Sequence, residues 1–204
     1  MYSKAKIFNL ALGALLLQRQ VINADTDQSN ECKVLLTYWD TALRSTLEDL
    51  DLDSTSDIMD LELVEENPNS HWIYAYKYPT KCAFFRRIVS HEVMDNVDSF
   101  ILKRVGMHEG QKVIFTNEAE ATAEYISWDV PLTSLTANTG LAIAYKLAML
   151  SAPLVTGKGA RALMQDIQAK YLIAKTEAQE QDKRENFNYV ADYIQSDFVN
   201  TRTS

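Results

Sequence analysis

Few residues in this chain have the types and spacing that chemistry needs. Thr156-Gly157-Lys158-Gly159 has the composition of a phosphate-cradling loop, where glycines let backbone N–H groups close around an anion. It lacks the earlier glycine of that motif, the Ser or Thr after the lysine and a preceding strand, so a helix–helix turn is the better reading. His71, His91 and His108 are isolated, with no histidine four residues away and no cysteine at metal-ligand spacing. No Gly-x-Ser-x-Gly elbow and no local Cys/His arrangement occurs. Cys82, among aromatic residues, reads as a core thiol, and two cysteines make no disulfide framework. These observations point to a non-enzyme that needs no metal or cofactor.

Charge carries more information. The chain has 204 residues and a net charge of −8. Nine acids and no Lys or Arg lie between Glu48 and Glu66; without that stretch the balance is +1, 20 basic residues against 19 acidic. Such a chain does not bind nucleic acid through one broad basic face. The stretch reads either as a solvated acidic loop or as a surface kept negative so that DNA slides past it, since carboxylates repel phosphates. On the second reading Asp51, Asp53, Asp57 and Asp60 are the candidate channel-facing acids.

The positioning elements follow from periodicity. Lys4 and Lys6, the apolar run 7–17 and Ala24 imitate a secretory signal. Yet Ile7, Leu10, Ala11, Ala14 and Leu15 keep the i, i+3, i+4, i+7, i+8 stripe of a packed helix, expected over 3–19. A second helix is expected after Asp25–Asp27, striped by Cys32, Leu35, Leu36, Trp39, Ala42, Leu43, Leu47 and Leu50. From Trp72 to Tyr78 the period falls to two with β-forming residues, which predicts a strand. Further strands are expected at 82–89, 99–105, 112–116 and 122–128, with Asn117-Glu118 turning between the last two and 61–64 adding an edge. A third helix follows Pro131, capped by Thr133 or Ser134, with the small-residue stripe Ala137, Leu141, Ala144, Tyr145, Ala148 and Ala152. A fourth is expected over 159–185. No run reaches the ~18 apolar residues of a membrane helix.

The expected fold is therefore α+β but mostly α. A four-helix bundle (1–57 and 131–185) carries a small, mostly-β insertion (58–130) between helices two and three, and an extended C-terminal tail (186–204). That tail places Phe187, Tyr189, Tyr193, Ile194 and Phe198 in a polar segment, an arrangement suited to docking on a partner.

The run Trp72-Ile73-Tyr74-Ala75-Tyr76-Lys77-Tyr78-Pro79-Thr80-Lys81-Cys82 resembles the Trp-x-Tyr-Ala-Tyr-x-x-Pro-x-x-Cys core of the tail adaptor (tail tubular protein A-like) family of short-tailed phages. The opening helix with Leu12-Gly13, the stretch Ile114, Thr116, Asn117, Tyr125, Asp129 and Val130, and the alanine- and leucine-rich helix at 142–154 are also similar. The resemblance spans roughly 5–185, through scattered residues. Leu52 departs from it, standing where many members carry Trp. The resemblance implies a virion protein of the head–tail junction, made in the host bacterial cytoplasm. Such a protein forms a ring, twelve-fold in the characterised phages, that joins the portal protein to the tail nozzle protein. DNA passes through without specific binding, and no membrane anchor is needed. The docking residues would then seat on the portal or a neighbouring copy. Rival readings are a head-completion or connector protein of another tailed-phage type, a small hydrolase with a dispersed site, and a secreted binding protein cleaved before Asp25.

Overall fold

The computed structural model describes residues 1–89, 102–157 and 160–200, with side chains described up to 185 apart from those of Ala160 and Ala162. The chain divides into a helical unit, 1–54 with 130–204, and a β unit, 55–129.

In the helical unit α1 (Lys4–Ala14) is capped by Ser3, whose hydroxyl accepts the Lys6 N–H. The helix stops short of the expected Arg19. Leu16 turns left-handed (φ 59°), and the N–H of Leu17 bonds back to the Leu12 carbonyl. Asn9 holds the returning chain with both side-chain atoms, accepting from the Val21 N–H at 2.7 Å and donating to its carbonyl at 2.9 Å. Helix α2 (Asn30–Leu50) starts later than its acids suggest. Ser29 is the cap, and Asp27 instead fixes the Ser29 N–H. The expected stripe is buried from Cys32 to Leu50 except Leu36, which is half-buried. Phe8 of α1 meets Trp39 of α2 edge-on at 5.6 Å.

Helix α3 (Ala137–Val155) is capped by Thr136, because 131–135 first make a short 3₁₀ turn. It is buried on more than a stripe. Ala142, Ile143, Ala144, Leu147, Ala148 and Ala152 are all fully buried, and α3 packs against each of the other three helices. Tyr2 reaches it as well. The ring lies where a Cβ on Gly140 would sit, and the hydroxyl donates to the Ala137 carbonyl at 2.7 Å.

Helix α4 (Ala160–Asn200) is one helix of 41 residues, so 186–200 is helical and no extended tail follows the expected stop at 185. Its described buried positions are Ile167, Tyr171, Ala174, Ala178 and Asp182, a helical stripe. Asp182 ends that stripe with a polar tie. Its carboxylate accepts the backbone N–H groups of Asp53 and Ser54 at 2.8 and 3.0 Å, at the start of the 3₁₀ turn after α2.

Among its described residues the β unit has seven strands: β1 (Ser56–Asp60), β2 (Leu63–Asn69), β3 (Trp72–Lys77), β4 (Cys82–Val89), β5 (Lys103–His108), β6 (Gln111–Thr116) and β7 (Thr122–Ser127). They form two antiparallel sheets, ordered β1-β7-β4 and β2-β3-β6-β5. Leu61, Tyr76, Phe85, Ile88, Ile114, Ala123 and Tyr125 fill one shared core between them.

This overturns the expectation of a mostly-α bundle with a small β insertion. The protein is an α+β fold whose described residues include seven strands in two sheets as well as four helices. Two misreadings caused the error. The acidic stretch was counted as loop or edge, yet it forms β1 and β2. Also, β6 and β7 do not pair across Asn117-Glu118; the chain crosses there from one sheet to the other.

Asp182→Ala removes two charge-assisted hydrogen bonds at a nearly buried position. It is expected to cost about 1–3 kcal/mol of stability by urea unfolding, and an unchanged midpoint would mean that water satisfies those N–H groups.

Candidate functional site

Each residue singled out for chemistry has a plain structural position. Gly157 (φ 65°) makes the α3–α4 turn. Lys158 and Gly159 lie outside the described residues, as does His91. His71 sits in the β2–β3 turn, where the Asn69 carboxamide oxygen accepts the His71 and Trp72 N–H groups. His108, at the end of β5, contacts the Glu65 carboxylate and stands edge-on to Phe115. The Cys82 thiol donates to the Tyr78 hydroxyl at 3.1 Å, and the buried Cys32 thiol, pushed up by burial, donates to the Ala24 carbonyl. Among the described residues no three His, Cys, Asp or Glu side chains converge as metal ligands do.

The structure does not gather the four candidate acids into one site. Asp51 is the left-handed C-cap of α2 (φ 49°) and Asp53 opens the following turn, both exposed in the helical unit. Asp57 and Asp60 lie on β1 in the β unit. Asp57 accepts the Tyr125 hydroxyl at 3.0 Å, and burial with that bond pushes the phenol up to about 12. Asp60 accepts the Thr122 hydroxyl at 2.6 Å. Within the β unit the stretch is thus two acidic strands, β1 paired with β7 and β2 with β3, not a solvated loop. The candidate docking residues Phe187, Tyr189, Tyr193, Ile194 and Phe198 belong to the helical part of α4 whose side chains lie outside the described residues.

Two polar clusters were not anticipated. Glu124, in the middle of β7 with only 11% of its side chain exposed, takes Arg86 at 3.0 Å and Arg87 at 2.6 Å. Burial opposes its charge, but the two guanidiniums outweigh it and hold the carboxyl below its usual range. In the helical unit Asp49 accepts the Tyr171 hydroxyl at 2.7 Å and Lys146 at 3.0 Å. Here too burial is outweighed, and the carboxyl is lowered; the Tyr171 phenol is raised by burial and by Asp49. Both clusters tie elements together.

A cleft of about 130 Å³ is lined by Met59, Glu62, Lys77, Tyr78, Pro79 and Thr80. That is well short of the ~300 Å³ at which small-molecule pockets begin, and the Lys77–Glu62 ion pair at 3.0 Å spans part of its lining. No helix among the described residues is long and apolar enough to cross a membrane. No protein-family model matches the chain, and no curated protein matches it in sequence. Among the described residues fifteen large apolar side chains are exposed, nine of them in the β unit.

The Glu124 cluster gives a pH prediction. A carboxyl lowered in the folded state stabilises the fold fully above its unfolded pKa of ~4.3 and loses that contribution as pH falls through the folded value. Glu124→Gln should cost about 1–3 kcal/mol at neutral pH, and the gap from the native chain should close on acidification. A gap that is flat with pH would remove the ion pairs from the account.

Proposed function

We propose that this chain is a structural virion protein, the subunit of an adaptor ring that joins the portal of a short-tailed phage to its tail nozzle and continues the DNA channel. The observation that carries this reading is the Trp72–Cys82 motif together with what its residues do. Ala75 and Tyr76 are buried on opposite faces of β3, Tyr74, Tyr78 and Cys82 pack against the inter-sheet core, and Pro79 accepts the Cys82 N–H in the turn into β4. A motif whose tyrosines, alanine and cysteine are structural suits a protein whose job is to hold a shape.

Three further features support the reading. The polar clusters tie elements together, as suits a protein whose job is to hold a shape. The acids Asp51 and Asp53 are exposed and suit a channel wall that must not retain DNA. Helix α4 continues beyond Asp182, its last described buried position, by 18 residues to Asn200, an arm with five large apolar residues in its sequence.

Alone, the chain is expected to be a monomer or weak oligomer, because −8 per copy repels within a ring. The portal protein encoded with it should gather copies by raising their effective concentration. Size-exclusion chromatography with light scattering checks this; a stable dodecamer without portal would contradict templating. Deleting 187–204 should weaken portal attachment by more than about tenfold, since each anchored aromatic contributes ~1.5–3 kcal/mol before ordering costs. The thermal midpoint of the free chain should hardly move. A large drop in that midpoint would mean that the arm folds back on its own unit.

A further inference from the structure

Helix α4 carries a second stripe opposite its buried one. Ala169, Ile173, Thr176 and Glu180 each follow a buried residue (Ile167, Tyr171, Ala174 and Ala178) by two positions. At about 100° per residue that is the far side of the helix, and all four are exposed. Leu172 and Ile173 are 54% and 59% exposed there. The stripe does not stop where the buried one does. Ala169, Ile173, Thr176, Glu180, Lys183, Phe187, Val190 and Ile194 are spaced alternately by four and three residues along one continuous helix. That spacing is the seam of a coiled coil.

The charges at the centre of the seam select a partner and a direction. Glu180 and Lys183 are both exposed and stand between the two apolar ends. A second copy laid parallel would set Glu180 against Glu180 and Lys183 against Lys183. Laid antiparallel about the point midway between these two residues, all eight seam positions meet. Glu180 then stands opposite Lys183, Thr176 opposite Phe187, Ile173 opposite Val190 and Ala169 opposite Ile194, each pair twice by symmetry. The small residues of the described half thus meet large ones of the last turns. Beside the seam Glu177 stands opposite Arg184, and both are exposed. Arg184 also reaches Glu180 of its own helix at 3.5 Å, with both side chains more than half exposed, so water screens that pair. Asp166 and Asp197 are the next residues to meet, and their like charges bound the seam.

We infer that two copies of the chain pair through α4 as an antiparallel two-helix coiled coil centred between Glu180 and Lys183. The last turns of each helix lie along residues 169–176 of the other. The contact uses the same face of both copies, so it closes at two. Its charged centre fixes direction and register at a cost in stability, and the dimer is the weak oligomer expected of the free chain. It gives the apolar positions of the last turns a partner before any portal is met. The inference deepens the docking role of Phe187 and Ile194, and it rests on the adaptor reading only for the portal that later displaces the second copy.

The test is sedimentation of the full chain over a range of concentrations at low ionic strength. The native chain should reach a dimer and no larger species. Glu180→Lys and Lys183→Glu each set like charges at the centre, and each alone should weaken dimerisation by roughly tenfold or more. An equal mixture of the two variants should pair, and so should a chain carrying both substitutions. Ile173→Gln should weaken pairing while the circular dichroism spectrum keeps the native form. Should a reversal variant lose helix, Glu180→Gln and Lys183→Gln replace the pair, each expected to weaken pairing severalfold. A native chain that stays monomeric throughout, or that forms trimers or larger species, overturns the inference. So do reversal variants that pair as the native chain does, or a mixture of them that stays dissociated. No portal is present in these measurements, so the adaptor reading stands or falls separately.

Discussion

Helix α3 is the constraint on which the helical unit depends. It has to lie against α1, α2 and α4 at once, and only small side chains let three helices approach one axis so closely. Ala142, Ala144, Ala148 and Ala152, with Gly140 beneath the Tyr2 ring, meet that need, while Ile143 and Leu147 fill the gaps between neighbours. The constraint also explains the chain path. The unit is built from two segments separated by 75 residues, and α3 is the element that joins the second segment to the first. Polar ties then set the register. Asp49 to Tyr171 and Lys146, Gln179 to the Leu50 carbonyl, and Asp182 to the turn after α2 all anchor the last part of α2 and its exit.

The β unit solves a different problem. Its strands are short, and a two-sheet core of about eight side chains must hold them. Aromatic residues supply most of the apolar area, and Tyr76 and Tyr125 also send their hydroxyls to acceptors, to the Glu118 carbonyl and to Asp57. A second, smaller cluster of Ala75, Val113 and Phe115 lies on the other face of β3 and β6, where the Phe115 ring rests on Gly106 at a distance that leaves little room for a Cβ. Charge is handled by position. Glu124 is held inside by two arginines.

How much of this was legible in the sequence depended on the kind of signal. The helical stripes were readable because burial in a helix repeats every three or four residues, and α2 buried nearly the set its spacing named. Helix ends were less readable. Ser29 outcompeted Asp25 and Asp27 as a cap, and Leu16 took a left-handed turn that its type disfavours, because Asn9 pinned Val21 from afar. The amount of sheet was underestimated at β1 and β2, where solvent-facing acids mask the alternation. The β5–β6 hairpin had a signal that went unread: Glu109-Gly110, both at positive φ, is the two-residue turn that such a pair requires. The Glu124 cluster could not be found from spacing, since its partners meet only through the register of β4 on β7.

On the proposed reading the chain is a subunit held among neighbours in an adaptor ring. The most direct test of that reading is electron microscopy of the purified chain mixed with the portal protein of a short-tailed phage. The adaptor reading predicts rings of the chain stacked coaxially on one face of the portal, with an open central channel. Portal particles that remain bare at saturating chain concentration would contradict it.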